Sequence, residues 1–310
     1  MTSFRSKLLL FGLRYKDILK PKSQRLTRIK TVNDIYKFRE IVETGAEKFG
    51  RLPKDLNVEI VNINGINAEW LSGKDFPKDK LILYFHGGGL VSGSAKSHRG
   101  IVAKFVKCSG IKALTFDYAL APEKPFPAAL NDARKVYQFL LENYKPENIL
   151  FMGDSGGGNT LLALLLTLKE KSLPMPVAAI ALSSWTDLTN SGDSNKSNRE
   201  KDKLTTENAN EMFSQVYCGE EDPRNPLISP LFGDLSGLPS LLMFAGNDEL
   251  MRDDTVRFAE NAKKAGVDVE MEIAEGMFHC YPAVAPLIPE ATFAMEKIVQ
   301  FIHRKINFLE

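Results

Sequence analysis

Ser155 stands in the run Gly153-Asp154-Ser155-Gly156-Gly157, between the apolar stretches 149–152 and 161–166. A serine hydroxyl is a weak nucleophile until a nearby base removes its proton. Glycines on both sides permit the sharp strand-to-helix turn that would hold the hydroxyl out beyond the end of a strand. The base must come from four histidines. His86 opens a glycine run, His98 begins a helical stretch, and His303 lies among charged neighbours near the C-terminus. His279 instead sits in the loop Glu275-Gly276-Met277-Phe278-His279-Cys280, just after an apolar strand candidate. That position suits the active edge of an open α/β sheet, so His279 is the expected base.

An imidazole in this role needs a carboxylate to fix its tautomer and stabilise its charged form. Asp248, in Gly246-Asn247-Asp248-Glu249-Leu250, is the expected acid, with the adjacent Glu249 as the alternative. The negative charge of a tetrahedral intermediate calls for converging N–H donors. The run His86-Gly87-Gly88-Gly89 offers backbone amides without side-chain bulk, and Gly156 offers another at a helix N-terminus, where the local field favours an anion. Gly87, Gly88 and Gly156 are the expected donors. Gly89 is expected to shape the loop, His86 to hold it by a hydrogen bond, and Asp154 to be architectural.

No Gly-Lys-Ser/Thr follows the glycines, the dinucleotide fingerprint is absent, and there is no His-Glu-x-x-His. The sequence therefore predicts no cofactor and no metal, and Asp253-Asp254 reads as a helix cap.

The elements that must position these residues alternate. Short apolar strand candidates at 81–85, 112–116, 149–152, 177–182, 240–245 and 267–273 are interleaved with helical candidates at 96–109, 127–143, 157–170, 253–265 and 290–304. Such a pattern predicts an α/β fold with a mostly parallel sheet covered by helices. Asn64-Gly65 between 57–63 and 66–71 predicts a leading hairpin, which makes the sheet mixed. Two helices are expected at 3–20 and 31–49, and the segment 187–230 breaks the rhythm as part of a cap, with a helix at 206–217. Met212, Phe213 and Tyr217 on that helix are candidate substrate-pocket residues. The whole of 1–310 reads as one catalytic domain with cap elements near 1–50 and 187–225.

A chain of 310 residues with 44% hydrophobic and 25% charged residues can bury a substantial core. Its net charge of +1 gives no general reason to expect nucleic acid. Three cysteines without metal-site spacing imply no disulfide framework. Residues 1–30 carry nine Lys or Arg against the single Asp17, interrupted by apolar residues. The favoured reading is a solvated basic helix that covers part of the protein; the alternative is peripheral contact with an anionic membrane. The run 8–13 is too short and too closely followed by Arg14 and Lys16 for a signal peptide, which leads to a cytoplasmic expectation. The oligomeric state stays open, with a homodimer among the expectations.

The chain resembles the hormone-sensitive-lipase-like family of α/β-hydrolase esterases. The resemblance rests on His86-Gly87-Gly88-Gly89, Asp117-Tyr118-Ala119-Leu120-Ala121-Pro122-Glu123, the Ser155 run, Trp185-Thr186-Asp187-Leu188, Ile228-Ser229-Pro230-Leu231, Asp248-Glu249-Leu250 and Gly276-Met277-Phe278-His279. It spans about residues 55–303, and the chain order Ser155, Asp248, His279 agrees with it. The resemblance implies an α/β-hydrolase fold with a helical cap and hydrolysis of short- to medium-chain acyl esters, and also lactones, as small-molecule substrates. It further implies an acyl-enzyme on Ser155 and no cofactor. Three departures stand out: Gly156 where alanine is usual, Ala119 where arginine is common, and Ser184 where proline is common. The missing arginine leaves the ion pairing of Glu123 unexplained. Receptors and dehydratases with altered catalytic residues occur among similar proteins, so a ligand receptor is the alternative reading.

Overall fold

The computed structural model describes residues 2–14, 26–49, 52–202, 204–206 and 208–306. Eight strands form one sheet: β1 (Leu56–Ile63), β2 (Ile66–Gly73), β3 (Leu81–Phe85), β4 (Lys112–Phe116), β5 (Ile149–Asp154), β6 (Ala178–Leu182), β7 (Ser240–Gly246) and β8 (Val269–Ala274). Their order is β1-β2-β4-β3-β5-β6-β7-β8. The β1–β2 hairpin turns at Asn64-Gly65, and β2 runs antiparallel to β4. All pairings from β4 to β8 are parallel, giving the expected mixed, mostly parallel sheet.

Alternation along each strand divides the core between the two faces. Leu81, Leu83 and Phe85 of β3, with Ile149 and Phe151 of β5, join one apolar cluster with α4 (Ala128–Leu141), α5 (Ser155–Glu170) and α8 (Arg252–Lys264). Ile82, Tyr84, Leu150 and Met152 face the other way, with α3 (Ala95–Ser109) and α9 (Pro289–Lys305). Burial on both faces explains why the strand sequences are continuously apolar.

Two helices come from the N-terminal region. The first, α1 (Phe4–Arg14), is the described part of the helix expected at 3–20; residues 15–25 lie outside the described residues. It docks on α9, where Glu290 accepts from Ser3 N–H and from the Ser6 hydroxyl at 2.6 Å each. Leu9 and Leu10 pack on the adjoining core. The second, α2 (Val32–Phe49), lies across the loop that follows β3, beside α7 (Ala209–Cys218). Between β6 and α7 the described residues form only a short α6 (Ser194–Ser197). No helix among the described residues is long and apolar enough to cross a membrane.

Observed ends differ slightly from the expected ones, for local reasons. The Val267 amide closes the end of α8 onto Ala262 O, so β8 starts at Val269 rather than 267. Asp253 and Asp254 stand in the first turn of α8 but do not cap it. Instead Asp253 accepts from Ser194 N–H at 2.9 Å, and Asp254 accepts from the amides of Thr186 and Asp187 at 2.8 Å each. These bonds tie the segment after β6 to the core.

Candidate active site

Ser155 joins β5 directly to α5 with φ +53°, a left-handed backbone unusual for a residue with a side chain. It persists because the turn is over-determined. A methyl group on Gly157 would collide with the carbonyl oxygens of Phe85 and His86, so only glycine lets α5 approach β3 this closely.

Asp154, immediately before it, points under the turn. One carboxylate oxygen accepts from the Tyr84 hydroxyl at 2.7 Å and from the Gly87 amide at 3.0 Å. The other lies 3.6 Å from His98 Nε2 and 4.0 Å from Cys280 Sγ. Burial alone would raise the Asp154 carboxyl, but His98 and the hydrogen bonds outweigh it and hold it below the usual value. Asp154 thereby pins the glycine loop to the serine turn.

That bond changes the donor assignment. Gly87 was an expected oxyanion donor, yet its N–H is turned to Asp154 and also lies 3.2 Å from His98 Nε2. The chain then bends through positive φ at Gly88 (+123°) and Gly89 (+64°). Among the described residues, the amides of Gly88 and Gly89 donate to no protein acceptor. Gly89 thus replaces Gly87 as the candidate donor. A run of three glycines does not disclose in sequence which amide points where.

His86 behaves as expected of a loop support. Its Nδ1 donates to Gly87 O at 2.9 Å, and its ring stacks on Tyr118 with centroids 4.1 Å apart. Complete burial pushes the imidazole down to about 3, which keeps it neutral. His98 is likewise engaged on both nitrogens, by Gly87 and by Ser97 at 3.1 Å. The His98–Asp154 pair therefore belongs to the scaffold of the loop.

A second histidine–carboxylate pair lies at the ends of β7 and β8. His279 Nδ1 stands 3.7 Å from Glu249 Oε2. Glu249 is fully buried, and the same oxygen accepts from Ser183 Oγ at 2.8 Å and from Gly246 N–H at 3.1 Å. Asp248, the expected acid, is half-buried, and its side chain makes no hydrogen bond or ion pair among the described residues; only its amide is held, by Met277 O at 3.1 Å. Adjacent residues in the turn after β7 point in different directions, and it is Glu249 that faces the imidazole. Burial would lower the His279 imidazole, but the Cys280 sulfur and the Glu249 carboxylate raise it well above its ordinary 6.5.

Of the expected pocket residues, Phe213 is buried against Gly89 and lies 5.2 Å from the ring of Phe38 on α2. Met212 is half-buried beside it. Tyr217 turns away to the core, 6.1 Å from the ring of Phe126, whose amide donates to Tyr217 O at 2.9 Å. Cys280 and Arg39 were not singled out in sequence. The signal available for Arg39 was the unpaired Glu123, which it binds at 2.6 and 2.7 Å.

Gly156 is packed against the loop. A methyl group there would come 2.8 Å from Leu90 N, 3.0 Å from Gly89 N and 3.2 Å from Gly89 C. These are backbone atoms, which cannot swing aside. Gly156→Ala should therefore displace the loop and lower kcat by about 10-fold or more, even though the amide itself is retained. Steady-state kinetics on an aryl ester test this, and an unchanged kcat would show that the loop yields freely.

Among the described residues, no group of three or more His, Cys, Asp or Glu side chains is arranged to hold a metal ion. Comparison with known proteins fits the geometry. A family described as alpha/beta hydrolase fold matches residues 82–283. The chain is 35% identical to an acetyl-hydrolase from Streptomyces hygroscopicus, over 83% of this chain and 85% of that protein. It superposes on an esterase/lipase from an uncultured bacterium with TM-score 0.89 and 34% identity, covering 98% and 99% of the two chains. An esterase from the bacterial hormone-sensitive lipase family gives TM-score 0.89 and 33% identity, over 99% and 100%.

Proposed function

The chain belongs to the α/β-hydrolase fold family, among its hormone-sensitive-lipase-like esterases, and from that premise we propose a serine carboxylesterase that uses Ser155, His279 and Glu249. The observation that carries this reading is the His279–Glu249 pair, 3.7 Å apart after β7 and β8 of the sheet whose β5 ends in the strained Ser155 turn, with Cys280 Sγ, next to His279, 4.0 Å from Asp154, next to Ser155.

Ser155 Oγ attacks an ester carbonyl while His279 Nε2 accepts its proton. Glu249, on Nδ1, orients the imidazole and stabilises its charged form. The oxyanion is met by the amides of Gly88, Gly89 and Gly156. Collapse of the intermediate returns the proton to the leaving alcohol and leaves an acyl-serine. Water, deprotonated by the same histidine, then releases the acid.

The substrates are short- to medium-chain acyl esters, with lactones as a related class. Phe213 and Met212 beside the loop favour a small acyl group, in keeping with an acetyl-hydrolase among the relatives. A series of alkyl phosphonate probes and p-nitrophenyl esters of increasing acyl length tests the reading. Labelling at Ser155 together with turnover greatest for short chains is expected. An unlabelled serine and no turnover across the series would overturn it.

A further inference from the structure

The loop that carries the candidate oxyanion donors is not held by the core alone. On one stretch of α2, two residues reach it and a third backs the side chain that rests on it. The Arg39 guanidinium donates through Nε to Val91 O and through Nη2 to Ala121 O at 2.6 Å, while gripping both oxygens of Glu123. Phe38 packs on Phe213, which itself rests on Gly89. Glu43, one turn beyond Arg39, accepts from the Ser94 hydroxyl at 2.9 Å. Ser94 caps α3, the helix whose His98 supports Gly87. The loop 87–94 is thus fastened at its start by Asp154, at Leu90 by the Ala121 amide, and at Val91 and Ser94 by α2.

We propose that Arg39 is a positioning residue that makes the oxyanion loop competent only when α2 is docked, coupling closure of this N-terminal layer to stabilisation of the transition state. The proposal rests on the esterase reading above. Its physical basis is the geometry of arginine. A planar fork satisfies two backbone carbonyls and a carboxylate at once, which a lysine ammonium on a flexible stem does not do. Glu123 is held below its usual carboxyl range, with the Arg39 hydrogen bond the largest influence. The cation that meets Glu123 comes from α2 and not from the segment after β4, where Glu123 itself lies. Docking of α2 has been made a condition of loop order.

Arg39→Ala and Arg39→Lys test this in the full chain. Both should lower kcat on p-nitrophenyl acetate by about 10- to 100-fold while KM moves less than about 3-fold, because the loss falls on the transition state. Millimolar guanidinium should recover a large part of kcat in Arg39→Ala and none in Ser155→Ala. Amide hydrogen exchange over 87–92 should rise about 10-fold in Arg39→Ala, whether or not turnover is measured. A fall in thermal stability with kcat unchanged would overturn the proposal, as would a rise in KM alone. Wild-type protein without turnover would overturn the esterase reading instead; unchanged exchange at 87–92 would then still sink the clamp.

Discussion

Glu249→Gln is expected to lower kcat by about 10⁴-fold, while Asp248→Asn changes it by less than about 3-fold. Glutamine keeps the shape of the side chain but removes the negative charge that stabilises the imidazolium. With its oxygen in place of Oε2 it keeps the bond from Ser183; flipped, it turns an N–H donor toward His279, favouring the wrong tautomer. Asp248 has no comparable partner to lose. The pH profile supplies a second readout. His279 must be neutral to act as base, so its raised position places the acid limb of kcat/KM above 6.5, with activity lost as pH falls through it. Glu249 is one of the groups that raise it, and Glu249→Gln should move that limb to lower pH. Equal losses in both variants, or a loss confined to Asp248→Asn, would return the acid role to Asp248.

The other large effect concerns the nucleophile. Ser155→Ala should reduce turnover by about 10⁵-fold or more, and what remains should exceed the uncatalysed rate because the loop amides still polarise the carbonyl. Phosphonate labelling should vanish with it. The backbone at this position adds a test that activity cannot give. Ser155 sits at φ +53°, where a Cβ costs energy and glycine has none to strain. Ser155→Gly should therefore be as inactive as Ser155→Ala yet more stable by about 1 kcal/mol in urea unfolding. A less stable glycine variant would show that the turn is not strained. Retained turnover in either variant would remove Ser155 from the mechanism.

The α/β architecture could be read because its signals are local. Apolar runs mark strands buried on both faces, Asn64-Gly65 marks the hairpin, and the spacing within helices marks their buried sides. The Ser155 turn belongs to the same class, since its glycines answer to contacts a few residues away and to one neighbouring strand. His279 could be found by its place after the last strand.

What the sequence determined by itself, then, was the fold class, the serine at its turn and the histidine proposed as its base. Tertiary structure alone decided which neighbour of the pair Asp248-Glu249 faces His279, because Ser183 at the end of β6 and the Gly246 amide draw in one carboxylate and leave the other beside solvent. It decided likewise that Gly87 spends its amide on Asp154, so that the free donors begin one residue later. It also brought Arg39 to Glu123, 84 residues away. In each case the local pattern is compatible with both outcomes. The direction of a side chain or an amide is settled by a hydrogen-bonding partner that only the folded sheet brings within reach.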